Sequence, residues 1–312
     1  MTIDTLQSTG GASSRGSHQL ASTFECPRRW LLRSVHRFVA KAEPLYRITG
    51  TLIHLALAWF HAQRLPVVPD DFRKPVVELL NERGRGYPQA IQTALSVLGA
   101  YGRWFSAQAW HIESVETEYR ATVADIVNIV RDRLDSALAE DLRRHAAAQG
   151  VSLTEFVSAR LDLVIRINGK LYPVDIKSVQ SRSGNLPALT DRGQYGLHWQ
   201  SFVQRYCLQT KWLTEDIGSN IILRATRDAP HQFAHDPLTI RARAYAEAAF
   251  SIVLAMARER ELRKMYEEGR KLPAHFWSCY TKGPCDYLDY CLADGAEARK
   301  SVLETDFVRE ED

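Results

Sequence analysis

Residues 159–179, ARLDLVIRINGKLYPVDIKSV, constrain the fold most strongly, because they predict a β-hairpin that carries charged side chains. Two runs rich in β-branched and aromatic residues flank an Asn-Gly pair, which is the pair most typical of a tight hairpin turn. Residues two apart on a strand share a face, so Asp175 and Lys177 point the same way while Ile176 points into the core. Asp162 lies on the partner strand, although counting through the turn does not fix which residue stands opposite it.

The charged groups of this hairpin predict a metal site. Two carboxylates that converge beside an ammonium group are unfavourable as mere packing, because like charges must be screened or must hold a cation. They suit Mg²⁺, which prefers hard oxygen ligands. Such an ion lowers the pKa of a bound water and neutralises a phosphate, while a lysine orients the water or stabilises developing negative charge. The arrangement predicts phosphodiester cleavage. The alternative is a half-exposed hairpin whose charges simply face water.

The rest of the chain predicts an α/β fold with one mixed sheet covered by helices. Helical periodicity prevails from about residue 19 to 109, interrupted near EPLYR, RLPVVPD and RGRGYP. A strand at 112–123, a helix at 131–150, the hairpin, a helix at 198–213, a strand at 219–226 and a long helix at 237–269 follow. The predicted organisation is a flexible leader (1–18), a single domain (19–298) with a helical part (19–109), a sheet core (110–230) and a C-terminal helix and cysteine segment (231–298), and a tail (299–312).

Composition favours a globular protein. The chain has 312 residues, of which 45% are hydrophobic and 25% charged. It has neither the run of about 18 apolar residues that a membrane helix needs nor the apolar centre of a signal peptide, so a cytoplasmic, reducing location is expected. Of its 40 basic residues most are Arg, which suits phosphate but can also reflect genomic base composition, and the net charge of +3 neither indicates nor excludes a polyanionic partner.

Three segments together resemble one nuclease family. The hairpin resembles the core of the PD-(D/E)XK nuclease superfamily, in its RecB-like branch, where an Asp ends one strand and D/E-x-K occupies the next. FECPRRWLL resembles the N-terminal Cys-Pro-Arg segment of that branch, and GTLIH resembles its Gly-x-x-x-His helix. The resemblance covers about residues 20–60 and 110–292. It implies a restriction-endonuclease-like mixed sheet flanked by helices, with a helical N-terminal region and a C-terminus held by metal.

The resemblance also implies roles for particular residues. His54, Asp162 and Asp175 would hold Mg²⁺ or Mn²⁺, the carbonyl of Ile176 would add a ligand, and Lys177 would serve catalysis. By itself, a histidine in the apolar run TLIHLALAWFH is more often a hydrogen-bonded core residue than a ligand.

Two further polar features have weaker support. Related nucleases carry an acid upstream of the strand Asp, but Glu116 in SVETEY is better interpreted as an exposed strand residue. The family's Gln-x-x-x-Tyr helix is degenerate here, since Phe202 stands where the Gln paired to Tyr206 should be. Gln200 and Gln204 share a helix face and are candidates, with Tyr206, for substrate contact, or are ordinary surface residues.

The cysteines indicate a second metal centre. Cys279, Cys285 and Cys291 occur as C-x₅-C-x₅-C, and Cys26 stands near the other terminus. Four thiolates are the usual complement for a [4Fe-4S] cluster or for tetrahedral zinc. Members of the RecB-like branch, among them AddB-type helicase–nucleases and CRISPR-associated exonucleases, join their termini with an iron–sulfur cluster through one N-terminal and three C-terminal cysteines. The looser spacing here leaves zinc open, and Cys207 is interpreted as a buried apolar residue.

The leading hypothesis is a Mg²⁺- or Mn²⁺-dependent DNA exonuclease acting on ends or single strands, with a cluster that stabilises the fold and with a helicase or recombination partner. One alternative is a DNA-binding accessory subunit of the same fold with a weak metal site. Another is a redox or zinc-binding interaction module whose hairpin charges are incidental.

Overall fold

The computed structural model describes residues 15–64, 73–108, 110–179, 199–209, 217–224, 231–239, 242–280 and 285–310. The helices are α1 (Ser17–Glu25), α2 (Pro27–Trp30), α3 (Leu45–Ala62), α4 (Arg73–Arg83), α5 (Pro88–Ser106), α6 (Val123–Arg133), α7 (Ser136–Ala148), α8 (Trp199–Gln209), α9 (Ala242–Glu267), α10 (Leu288–Leu292) and α11 (Gly295–Asp306). A π-helical turn (Leu31–Val35) follows α2, and a 3₁₀ helix (Phe276–Tyr280) follows α9. The strands are β1 (Phe38–Ala40), β2 (His111–Thr122), β3 (Phe156–Ile167), β4 (Lys170–Val179), β5 (Ile217–Arg224), β6 (Gln232–Thr239) and β7 (Phe307–Arg309).

The central sheet has the strand order β2-β3-β4-β5-β6. The pairs β2/β3, β3/β4 and β5/β6 are antiparallel, whereas β4 and β5 are parallel. The sheet is therefore mixed, as the sequence predicts, because the hairpin β3–β4 leads into a crossover that returns β5 parallel to β4 through α8. A separate small sheet pairs β1 with β7.

The hairpin forms at its predicted turn. Asn168 and Gly169 both have positive φ, at 50° and 78°, which is the geometry of a type I′ turn. The pairing begins directly beside the turn, at Ile167 and Lys170. The Asn-Gly pair thereby sets the register of the two strands that carry Asp162 and Asp175.

Helices cover both faces of the central sheet. On one face, α3, α4 and α5 pack a core against β2, β3 and β4 around Leu163, Val174 and Ile176. On the other face, α1, α6, α7, α8 and α9 pack a second core. The predicted sheet flanked by helices is confirmed, and a charged residue near the middle of β3 or β4 has helices on either side.

Several predicted elements differ from the structure. The long helix begins at Ala242, since residues 232–239 form the edge strand β6, where Pro237 is tolerated because an edge leaves one side of the backbone unpaired. The charged helix at 131–150 is divided near Leu134, because the side chain of Asp135 caps α7 by accepting the N–H groups of Ala137 and Leu138.

Both predicted ends differ as well. The region expected as a tail includes most of α11 and the strand β7, which pairs with β1. At the N-terminus, Arg15 contacts Glu155 and the buried Glu259, and residues 1–14 of the predicted leader lie outside the described residues. Within the described ranges, no helix is both long and apolar enough to cross a membrane.

Candidate active site and cysteine cluster

The site forms where β3 and β4 separate. Pairing between the two strands ends at Leu163 and Val174, after which β3 remains paired with β2 and β4 with β5. Asp162 stands at this point, and its Oδ2 accepts the backbone N–H of Ile176 at 2.6 Å. The Asp162 carboxylate thus takes the place of a backbone acceptor at the opening, and this hydrogen bond holds the carboxylate beside β4.

The side chains of β3 change faces at the same point. Before Asp162, the odd-numbered residues of the strand belong to the core under α8; they are Val157, Ala159 and Leu161. After Asp162, the odd-numbered residues Leu163 and Ile165 belong to the core under α3. An irregularity of this kind re-aims neighbouring side chains. Asp162 is consequently accessible from α3 on one face and lies close to β4 residues that face α8.

Glu116 lies beside Asp162 and is partly buried, so its interpretation as an exposed strand residue was wrong. It lies between the pairs Val115–Leu163 and Thr117–Leu161, so it stands opposite Asp162, and its φ of 44° is rare for a residue with a side chain. Burial, together with the neighbouring carboxylate of Asp162, raises the pKa of Glu116 to about 8. Simple alternation along β2 predicted a solvent-facing Glu, and the break in the strand turns it inward.

The histidine of GTLIH reaches the site because a glycine lets its helix approach. A Cβ atom on Gly50 would lie 3.2 Å from Oγ of Ser178 on β4, tighter than most real contacts, so the absence of a side chain keeps α3 close to that strand. One turn further along α3, Nδ1 of His54 lies 3.6 Å from Oδ2 of Asp162. His54 is one-third exposed, whereas His61, two turns away, is the buried core histidine and binds Tyr101.

On the α8 side, four side chains form a connected network. Nζ of Lys177 lies 2.6 Å from Oδ2 of Asp175 and donates to Oε1 of Gln200 at 2.9 Å. Oδ1 of Asp175 accepts the amides of Gln200 at 2.8 Å and Gln204 at 3.2 Å. Asp175 is only 6% exposed, so these partners provide the polar contacts that a buried carboxylate needs. The two glutamines contact this network, and Ile176 points into the opposite core as predicted.

The charge distribution suits a cation. Burial raises the pKa of Asp162, and the carboxylate of Asp175 raises it further, whereas His54, the Ile176 N–H and Lys177 act in the opposite direction. Three acids from β2, β3 and β4 therefore lie near one another, and nearby cationic groups only partly offset the raised pKa values of Asp162 and Glu116. Carboxylate oxygens with an imidazole nitrogen are ligands that Mg²⁺ and Mn²⁺ accept, so the residues fit a divalent ion.

Tyr206 is not brought to the site. It has no exposed surface, its ring stacks on Tyr245 at 4.2 Å, and its hydroxyl donates to the carbonyl of Tyr245. Cys207 is likewise fully buried in the core under α8, where burial raises the pKa of its thiol and Sγ donates to the carbonyl of Val157. It has the surroundings of the buried apolar residue that the sequence predicted.

The other four cysteines lie together, although the chain separates Cys26 from Cys279 by more than 250 positions. Burial raises the pKa of the Cys279 thiol, and Cys285, Cys26 and Cys291 each raise it further, which requires all of them to be near. Cys26 and Cys279 are buried, and the N–H of Cys285 donates to the carbonyl of Cys279 at 2.8 Å.

The donor set of four thiols fits a [4Fe-4S] cluster or zinc. Across the part of the chain that the structure describes, no three His, Cys, Asp or Glu side chains already stand in an arrangement that could hold a metal ion. A metal ion held by either set of residues would require the ligands to lose protons and to close around it.

Comparison with known proteins identifies one family. A family model for the PD-(D/E)XK nuclease superfamily matches residues 17–292, a span that contains every residue of both sites. No curated protein matches the chain. Among solved structures, the chain is similar to the crystal structure of SSO0001, with 13% identity over 89% of this chain and 96% of that one and a TM-score of 0.30.

We expect Glu116→Gln to change the pH dependence of stability in metal-free buffer. A carboxylate with a folded-state pKa of about 8, above its ordinary 4.5, stabilises the fold below pH 4.5 and loses that contribution as the pH rises to 8. The variant should match the wild type at low pH and exceed it at pH 8 by on the order of 4 kcal/mol. Urea unfolding at pH 5, 6.5 and 8 measures this. A parallel decline in both proteins would contradict the placement of Glu116.

Proposed function

The chain belongs to the PD-(D/E)XK nuclease superfamily, and we propose that it is a metal-dependent DNA nuclease of the RecB-like branch. The observation that carries this proposal is the convergence of His54, Asp162, Asp175 and Lys177, from one helix and two strands, at the opening between β3 and β4. A structural hairpin with incidental charges would have no need to bring in the histidine of α3 or the glutamines of α8.

In this proposal His54, Asp162 and Asp175, with the carbonyl of Ile176, hold a Mg²⁺ or Mn²⁺ ion. The ion would neutralise charge on a scissile phosphate and promote the ionisation of water. The N–H of Ile176 orients Asp162, and Glu116 adds a further acid opposite it. The shared negative charge of the carboxylates provides the affinity for a cation.

Lys177 is the proposed catalytic cation. Its ammonium group is fixed between Asp175 and Oε1 of Gln200, and it remains 28% exposed, so it can reach a phosphate oxygen or an attacking water. A preorganised positive charge stabilises the negative charge that develops as the phosphorus–oxygen bond breaks. Gln200 and Gln204 are proposed as positioning residues rather than as substrate contacts, because their amides donate to the carboxylate of Asp175.

The resemblance to the RecB-like branch supports the finer proposals. These are an exonuclease acting on ends or single strands of DNA, a helicase or recombination partner, and one nuclease domain spanning residues 19–298. Cleavage of linear but not circular DNA tests the exonuclease proposal directly.

The four cysteines are proposed to hold a [4Fe-4S] cluster, with zinc as the alternative metal bound by the same four thiols. The support is their convergence from both ends of the chain. The two ends are also joined without metal, since β1 pairs with β7 and the hydroxyl of Tyr287 donates to the carbonyl of Phe38. The proposed centre therefore reinforces a junction that the polypeptide already makes.

Lys177→Ala should abolish Mg²⁺-dependent cleavage of labelled DNA, with a loss of at least about 100-fold in single-turnover rate, because it removes the fixed positive charge. Asp175→Asn should act likewise, and both variants should fold. Lys170→Ala, at the exposed turn end of the same strand, is the matched control and should cleave as the wild type does. Wild-type cleavage by Lys177→Ala would refute the assignment, and DNA binding without cleavage by the wild type would favour the accessory-subunit alternative.

Asp162→Ala should behave differently, by raising the Mg²⁺ concentration needed for half-maximal cleavage, because it removes a proposed ligand and leaves Lys177 in place. We expect a rise of about ten-fold or more, as loss of a ligand-sphere group usually produces. A metal titration of cleavage with both Mg²⁺ and Mn²⁺ measures it. An unchanged midpoint would mean that the ion binds elsewhere.

Serine substitution at Cys26, Cys279, Cys285 or Cys291 should remove the metal from anaerobically purified protein, and with it a brown colour and broad absorbance near ~400 nm if the metal is an iron cluster. Stability should fall by about 2–4 kcal/mol, the usual scale for losing a long-range crosslink, because β1 and β7 still join the termini. Cys207→Ser is the control and should retain the metal. Metal loss from Cys207→Ser together with metal retention in Cys26→Ser would refute the proposed ligand set. A colourless wild type that contains one zinc ion would show that the metal is zinc and not iron.

A further inference from the structure

Two large aromatic side chains are exposed side by side in the cysteine segment. Phe276 is 51% exposed and Trp277 is 70% exposed, whereas Cys279, in the same 3₁₀ helix, is 3% exposed. Folding normally buries large aromatic side chains, since they contribute the most apolar area. The most exposed of the large hydrophobic side chains in the described residues thus stands two positions from a buried cysteine.

The tryptophan is held in place. The imidazole of His275 stacks against the Trp277 ring, with centroids 6.1 Å apart and planes 19° from parallel, and its Nδ1 lies 3.2 Å from the carbonyl oxygen of Glu25. The N–H and hydroxyl of Ser278 both donate to the carbonyl of His275. The Trp277 ring therefore stacks on His275 and remains largely exposed, so another ring could stack on it.

Arginines flank this segment. Arg29 and Arg33 are four residues apart and expose 46% and 48% of their side chains. Glu25, which pairs with Arg29, has its carbonyl oxygen against His275, and Leu32, next to Arg33 in the chain, packs with Tyr287 and Cys285, so both arginines lie beside the cysteine segment. Their ion pairs are exposed and loose, at 3.5 Å to Glu25 and 4.0 Å to Glu310, and such pairs contribute little and are readily exchanged.

We propose that Phe276, Trp277, Arg29 and Arg33 form a binding site for single-stranded nucleic acid, separate from the cleavage site. Bases would stack on the aromatic rings and phosphates would pair with the arginines, the combination by which proteins hold single strands without sequence preference. A duplex does not suit this site, because its bases already stack on each other and present only their edges.

The cysteine segment is joined to the helix that carries His54. Arg47, at the start of α3, forms two hydrogen bonds with Asp286, which directly follows Cys285. His54 stands seven residues further along the same helix, about 10 Å at 1.5 Å per residue. A strand held on the cysteine segment can therefore be the substrate of the proposed nuclease, and to that extent the inference rests on the proposed function.

Binding to the full chain tests the proposal. Fluorescence anisotropy in buffer without added divalent metal would use a labelled 20-nucleotide oligothymidine and a 20-base-pair duplex. Trp277→Ala should weaken oligothymidine binding by about ten-fold or more, with little effect on the duplex, and Trp277→Phe should retain most of the affinity because it keeps a ring. Leu254→Ala, which removes an exposed apolar side chain from α9, is the control and should bind as the wild type does.

A second measurement does not depend on the tryptophan. Arg33→Ala should reduce the slope of log affinity against log salt for oligothymidine by about 0.7, the value expected for one lost phosphate contact on a single strand. If Trp277→Ala unfolds, this slope and the Trp277→Phe variant decide the outcome. The proposed site would be refuted if folded Trp277→Ala bound oligothymidine with wild-type affinity, or if Arg33→Ala left the salt dependence of oligothymidine binding unchanged. Either result would assign the aromatic pair to another partner.

Cleavage assays separate this proposal from the proposed function. Hydrolysis of bis(p-nitrophenyl) phosphate with Mn²⁺ involves a substrate too small to reach Trp277, so Trp277→Ala should hydrolyse it at the wild-type rate while losing activity on single-stranded DNA. A wild type that binds oligothymidine through Trp277 but cleaves neither substrate would refute the nuclease and leave the binding site standing. Cleavage of single-stranded DNA that Trp277→Ala leaves unchanged would refute the binding site and leave the nuclease standing.

Discussion

The hydrogen bond from the N–H of Ile176 to the carboxylate of Asp162 is the contact on which the site depends. A β-hairpin normally continues its ladder until one strand ends, because unpaired backbone groups are unfavourable in the interior. Here the hydrogen bonding between β3 and β4 ends in mid-strand. The carboxylate of Asp162 accepts the N–H of Ile176, a backbone group on β4 beyond the last β3–β4 pair. The opening lets α3 bring His54 toward the acids from one face of the sheet and α8 bring Gln200 from the other.

The same opening brings acidic side chains from neighbouring strands close together. Glu116 occupies a left-handed backbone conformation opposite Asp162, and both carboxyl groups have raised pKa values because they are partly buried near another acid. Strain and like-charge repulsion of this kind lower stability and are typical of functional sites. Lys177 and the two amides of α8 contact Asp175 directly, while the pKa values of Asp162 and Glu116 remain raised despite nearby cationic groups, so the acids favour a bound cation.

The cysteine segment is joined to the rest of the molecule at several independent points. The pairing of β1 with β7 connects the chain ends, and the Arg47–Asp286 ion pair connects the segment to α3. A metal centre at the four cysteines would therefore act on a preformed junction close to the helix that carries His54. The exposed ring of Trp277 lies in the same short 3₁₀ helix as the buried Cys279.

Short-range chemistry allowed much of this protein to be predicted from its sequence. The Asn-Gly turn determined the hairpin and its register, and alternation placed Asp175 and Lys177 on one face with Ile176 on the other. Each of these features depends on residues within a few positions of each other, where φ/ψ preferences and the two-residue period of a strand suffice.

The features that only the tertiary structure decided all depend on contacts between distant segments. Alternation could not show that Glu116 turns inward, because the break in β2 arises where β3 opens beside it. Tyr206 and the two glutamines share a short helix, yet the packing of α8 against Tyr245 buries the first and directs the others to Asp175. The sequence likewise marked four cysteines as candidates for one centre, and long-range pairing of the chain ends brought them together, since the spacing of residues along a chain does not specify their separation in space.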